Sequence, residues 1–188
     1  LRYDVFFMNG DGVNTINRNQ GLMVGTRFEV PILGEYKTSE SDTDDSQEHN
    51  LGLGVAYAFN EAAAALNNIA AGTKTSHGTL DLGWKYKGWS LQTAGMVQRT
   101  HEGAKLTNFG YNAQAGYFLI PKKFEVAAKA GTTIFSDATR NQHEYSLGLN
   151  YFIVGHGIKF QTDYAVLLNN RGQNLNDHRF RTQMQLIF

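Results

Sequence analysis

The last eleven residues, His178 to Phe188, read HRFRTQMQLIF. Taken in steps of two, Phe188, Leu186, Met184, Thr182 and Phe180 fall on one face, and Ile187, Gln185, Gln183, Arg181 and Arg179 on the other. A period of two is the mark of a β-strand, whose successive side chains point to opposite faces. Soluble sheets usually end in polar sequence. A strand with one greasy face, one face of arginines and glutamines, and a terminal phenylalanine suits a wall between lipid and water.

The same alternation recurs upstream. In Leu1 to Asn9 the apolar face is Leu1, Tyr3, Val5 and Phe7, with Arg2 and Asp4 opposite; in Leu22 to Val30 it is Leu22, Val24, Phe28 and Val30, opposite Gly25, Arg27 and Glu29. Leu51 to Phe59 sets Leu51, Leu53, Val55, Tyr57 and Phe59 against glycines and alanines. Thr79 to Tyr86 and Trp89 to Gln98 continue the rhythm, followed by Tyr111 to Leu119, Phe124 to Ile134, Tyr145 to Tyr151 and Ile158 to Leu168. With the terminal segment this makes about ten strands of roughly eight to eleven residues, close to the length that crosses a bilayer at a tilt.

Composition agrees with extended structure and narrows the function classes. Twenty glycines against two prolines, with nine Tyr and twelve Phe, favour strand over helix. The 17 basic and 17 acidic residues cancel, so no net basic field points to nucleic acid. With no cysteine there is no disulfide framework and no Cys-ligated metal. No run approaches the ~20 apolar residues of a spanning helix. The chain opens at Leu1 without Met or a signal sequence, and is expected to be a processed mature chain or a piece of a longer one.

The links alternate in length. Lys87-Gly88, Pro121-Lys122-Lys123 and Gly155-His156-Gly157 read as tight turns, and Thr100 to Asn108, Ser136 to Gln142 and Asn169 to Asp177 as longer polar loops. Outer-membrane barrels have short periplasmic turns and longer outer loops, and Phe188 ends beside the short-turn side. Pro31 to Asn50 breaks this rule. Parity assigns it to the short-turn side, yet it is long and acidic (SESDTDDSQEHN, Ser39 to Asn50). Its Asp42, Asp44, Asp45 and Glu48 lack the glycine and spacing of a calcium loop, so it reads as solvated. Glu61 to Gly72 (EAAAALNNIAAG) reads as a short helical insertion, folded into a pore or capping its rim.

A soluble lipocalin-like barrel would line its cavity with the apolar face. Here that face is rich in aromatics gathered near the short turns, namely Trp84, Tyr86, Trp89, Tyr117, Phe124, Tyr151 and Phe188, which read as an interfacial girdle. The fold expected is therefore all-β: a transmembrane antiparallel up-and-down β-barrel, with residues 1–188 as a single outer-membrane domain.

Several segments carry a family resemblance. GLGVAYAF (Gly52 to Phe59), GWSLQT (Gly88 to Thr93), GYNAQAGYFLIPKKFEVAAKAG (Gly110 to Gly131), EYSLGLNYFIVGHGIKFQTDYAVL (Glu144 to Leu167) and DHRFRTQMQLIF (Asp177 to Phe188) resemble the C-terminal part of the phosphate-selective porin O and P family, as does FFMNGDG (Phe6 to Gly12). The resemblance implies a bacterial outer-membrane porin, roughly sixteen-stranded and homotrimeric, so that this chain lacks about six N-terminal strands or forms a smaller barrel. It also implies small hydrophilic solutes, anions such as phosphate among them, passing by diffusion.

On the polar face the bases Arg2, Arg27, Lys85, Lys129, Lys159, Arg179 and Arg181 meet the acids Asp4, Glu29, Asp81, Glu125, Glu144 and Asp163. Arg27, Lys85, Lys129, Lys159, Arg179 and Arg181 are the expected pore-lining residues. Of these, Lys129, Lys159, Arg179 and Arg181 are expected to bias passage toward anions. No catalytic residue, cofactor or metal is expected, and the partners are membrane lipid and the solute, with no nucleic acid. Two alternatives remain. One is a non-conducting structural or adhesive small barrel. The other is an omptin-like protease using His101-Glu102, His143-Glu144 or Asp177-His178, which would need two such groups facing one cleft and holding a water.

Overall fold

The computed structural model of the chain describes residues 1–9, 21–61, 73–101, 105–169 and 175–187. Ten strands follow one another: β1 (Arg2–Asn9), β2 (Leu22–Leu33), β3 (Asn50–Glu61), β4 (Lys74–Tyr86), β5 (Trp89–Thr100), β6 (Thr107–Ile120), β7 (Phe124–Ile134), β8 (Gln142–Val154), β9 (Ile158–Asn169) and β10 (Leu175–Leu186). They form one sheet in the order β1 to β10, every neighbouring pair antiparallel. The protein is thus all-β with up-and-down topology. Among the described residues no ladder joins β1 to β10, and the only helical turn is a 3-10 turn at Ala138–Arg140.

All ten expected strands form, and most run longer than the alternation suggests. β4 starts at Lys74 rather than Thr79, because Lys74 to Gly78 pair with Glu61 to Tyr57 although KTSHG has no apolar rhythm. β10 starts at Leu175, inside the expected loop. The expected helical insertion lies mostly outside the described residues, as do Gly10 to Gly12, Glu102 and Phe188.

The register carries the alternation across the whole sheet. Glu29, Gly54, Asp81, Ala94, Asn112, Gly131 and Glu144 are reached through successive pairings and share one face. On the other face lie rows such as Tyr86, Trp89 and Tyr117, and Phe124, Tyr151, Phe160 and Met184. Burial is inverted relative to a soluble protein. Phe180, Leu147 and Met184 are 72%, 65% and 63% exposed, whereas Glu125, Lys159 and Lys85 are 1%, 5% and 6% exposed. Water-driven folding buries apolar groups and leaves charges out, and on the two faces of this sheet that order is reversed.

Tight turns join consecutive strands at one end of the sheet. Lys87 and Gly88 both have positive φ (46° and 79°), as a two-residue type I′ hairpin requires. Lys122 at φ 62° and Gly155 at φ 46° serve the next two turns, with register shifts at Phe118/Ile120 and Phe152/Val154. The sheet curves so that its polar face is concave: Thr38 meets Glu29 of β2 and Glu40, two residues on, meets Lys159 of β9, which on a flat sheet would lie seven strand spacings or about 34 Å away.

Candidate functional site

The 34–49 link joins β2 to β3 at the short-turn end, where parity placed it; Glu35, Lys37, Asp44 and Glu48 are solvated as expected, but Ser41 and Asp42 are buried. It turns at Gly34 (φ 58°) and lies as a strap across the concave polar face. Tyr36 starts it. Its ring covers Gly52 and Gly83, and a methyl group at either glycine would overlap that ring. Gly52, expected merely as part of the small face of β3, is therefore half of a shelf for Tyr36, with Gly83 of β4 the other half. Burial raises the Tyr36 phenol above its ordinary pKa, with Asp81 and Glu29 adding to the rise.

The residues that follow reach five strands between them. Thr38 Oγ1 donates to Glu29 of β2 at 2.7 Å. Lys85 of β4 donates from Nζ to Lys37 O at 2.8 Å and to Ser39 Oγ, and Gln92 of β5 donates to Ser39 O at 2.7 Å. Glu40 lies 3.5 Å from Lys159 of β9, and Ser41 Oγ donates to Glu125 of β7 at 2.8 Å. Asp42 then anchors the strap to the β4–β5 turn: its carboxylate accepts from Gly88 N at 2.9 Å and from Ser46 N and Oγ, while Lys87 N donates to Ser46 O at 2.7 Å. The strap leaves at His49, which stacks on Tyr86 at 4.0 Å and accepts from Trp84 Nε1 at 3.1 Å, joining the aromatic row. Buried polar groups are tolerated only when bonded. The strap supplies such bonds for Lys85 and, through Ser41, for Oε2 of Glu125, whose buried Oε1 has no partner; Asp42 itself is 1% exposed.

All six expected pore-lining residues lie on the polar face, but they do not form one patch. Arg27 makes a two-pronged pair with Asp81 (2.7 and 2.8 Å) and bonds Glu29 at 3.2 Å. Lys85 and Lys159 are covered by the strap. Further along the strands Lys129 and Arg179 share Glu144, at 3.7 and 2.8 Å. The small, fully buried Ala165 lies on β9 between Arg179 and Ser146 of β8, leaving Arg179 room to cross. Arg181 is held by Asp163 at 2.9 and 3.0 Å. Lys159 stands six residues along β9 from Ala165, the register partner of Arg179, which is about 20 Å. Of the four residues expected to bias passage toward anions, Lys159 is therefore set apart from Arg179 along the strand.

The acid–histidine pairs are divided by the pleat. Glu144 and Asp177 point to the polar face, and their neighbours His143 and His178 to the other, where His143 contacts Thr132 (3.0 Å) and His178 contacts Tyr164 (2.6 Å). Adjacent residues of one strand cannot hold one water between them. Asp44 of the acidic run pairs with Lys37 at 3.2 Å, and among the described residues no group of three His, Asp or Glu is placed to hold a metal.

Sequence reasoning missed Phe118 and Phe152, which lie on the polar face 5.3 Å apart and are buried at the short-turn end. His156 meets Phe152 edge-on at 5.4 Å, and burial with nearby Lys159 holds its pKa below the usual 6.5. Parity with Gly116 and Asn150 would have placed both rings. Comparison with protein-family models, with curated proteins and with solved structures finds no match.

Proposed function

We propose that the chain is the wall of a bacterial outer-membrane β-barrel that passes small hydrophilic solutes by diffusion, without catalytic residues or cofactor. The inverted burial carries this reading. An apolar face left open on every strand, over a curved polar face whose charges are bonded, fits lipid outside and water within. Aromatic spacing supports it. Tyr111 and Tyr117 on β6, and Tyr145 and Tyr151 on β8, bracket alanines or leucines over six residues, about 20 Å along each strand. Strand edges cannot stay unpaired in lipid, so β1 and β10 close on each other or on further strands. The resemblance to porins O and P adds homotrimeric assembly and anionic solutes.

The strap favours one second reading. Laid across a barrel of only about ten strands, it would fill much of the lumen and leave a non-conducting structural barrel. Planar-bilayer recording of the refolded protein separates the two. Stepwise ion currents are expected, and folded, inserted protein without currents refutes the passage. Under a salt gradient, a reversal potential favouring anions that shrinks in Arg179→Ala/Arg181→Ala would support the anion bias.

A further inference from the structure

The cavity beside the strap is walled by four amide side chains, Gln114, Asn150, Gln161 and Gln183, with hydroxyls from Ser41 and Ser146. Its charged members are Lys129 and Arg181 against Glu40 and Asp163, two of each sign. We propose that this cavity is a binding site for an uncharged, polyhydroxylated solute of sugar size, met on the way along the strap.

Three observations point there. The first is electrostatic. Both cations are already engaged, Lys129 with Glu144 and Arg181 with Asp163. An arriving anion would compete with those carboxylates and face Glu40 as well, and an arriving cation would meet Lys129 and Arg181. A hydroxyl carries no net charge to be repelled, and both donates and accepts. The second is the amide set. Each amide offers two N–H donors and a carbonyl acceptor in one plane, which matches neighbouring hydroxyls on a ring. Two of the four are oriented: Asn150 Nδ2 donates to Glu125 at 2.7 Å, so Asn150 Oδ1 is the atom that accepts from Gln161 Nε2 at 2.9 Å, which turns Gln161 Oε1 toward other donors. Ser41 secures the same Glu125 from the strap, so the strap and the amide row are one network. The third is size, since about 670 Å³ lies within the ~300–1,000 Å³ of small-molecule sites.

The test is equilibrium titration of the refolded protein in detergent with maltose and with inorganic phosphate. Wild type is expected to saturate with maltose at least about tenfold more tightly than with phosphate. The Gln161→Ala/Gln183→Ala variant, and Ser146→Phe, which fills the cavity from a lumen-facing position, should each weaken maltose by a similar factor. Both variants are checked for the heat-modifiable gel mobility of a folded barrel. Tighter phosphate than maltose, no saturation by maltose, or unchanged maltose affinity in folded variants would overturn the site. The site forms part of the proposed passage, yet the two fail separately: maltose binding without ion currents keeps the site and removes the passage.

Discussion

Two links at the same end of the sheet do one topological task by opposite means. Lys87–Gly88 turns β4 into β5 with two residues whose φ angles are both positive, and lends its two N–H groups to Ser46 and Asp42 of the strap. The strap turns β2 into β3 by a long route, held by side chains of β2, β4, β5, β7 and β9. A turn needs only local sequence. A strap needs a receiving surface, and here that surface is the polar face itself, so its length is explained by what it covers.

Removing the strap breaks the comparison most severely. Replacing residues 35–48 by Asn-Gly converts the long link into a second tight turn; the sheet should persist as a heat-modifiable barrel, and single-channel conductance should rise severalfold. Next comes the shelf. Gly83→Ala puts a methyl into the Tyr36 ring, and such overpacking costs about 1–3 kcal/mol, visible as a lower denaturant midpoint and faster proteolysis between residues 35 and 49. Asp42→Ala removes the acceptor for Gly88 N, Ser46 N and Ser46 Oγ. Leaving those donors buried should cost about 1–3 kcal/mol, whereas Gly88→Ala in the tight turn should cost about 1–2 kcal/mol through its left-handed φ alone.

The smallest effect is one of pH. The folded pKa of His156 lies below 6.5, held down first by burial and then by Lys159, so the unfolded chain binds the extra proton more readily. Its contribution is therefore intact above pH about 6.5 and is lost as pH falls through the unfolded and then the folded value. Denaturant titration from pH 8 to 5 should show this decline, and His156→Gln should flatten it.

The sheet was legible because its signal is local: every strand announces itself by alternation, as in Tyr145 to Tyr151. The polar-face location of Arg27, Lys85, Lys129, Lys159, Arg179 and Arg181 followed from the same parity. Their pairing did not, because Arg179 meets Glu144 across a strand and needs a small residue, Ala165, between them. The strap was hidden for the same reason. Its partners Gly83, Gln92, Glu125 and Lys159 are scattered over four strands, and its acidic composition resembles that of any solvated loop. The clues available were a link too long for its side of the sheet and glycines facing inward on β3 and β4.

The strap also bears on the order of assembly. Ser41 bonds Glu125, 84 residues away, and Glu40 meets Lys159 still further along. Hairpins such as β4–β5 and β6–β7 close over short loops, whereas these contacts do not exist until β7 and β9 are in place, and contacts of such sequence separation form slowly. The strap is synthesised early, and its contacts with β7 and β9 are seated late. A chain stalled before β7 would leave Ser41 and Glu40 without these partners, while Asp42 and Lys85, whose partners Ser46, Gly88, Lys37 and Ser39 all precede β6, could already be bonded.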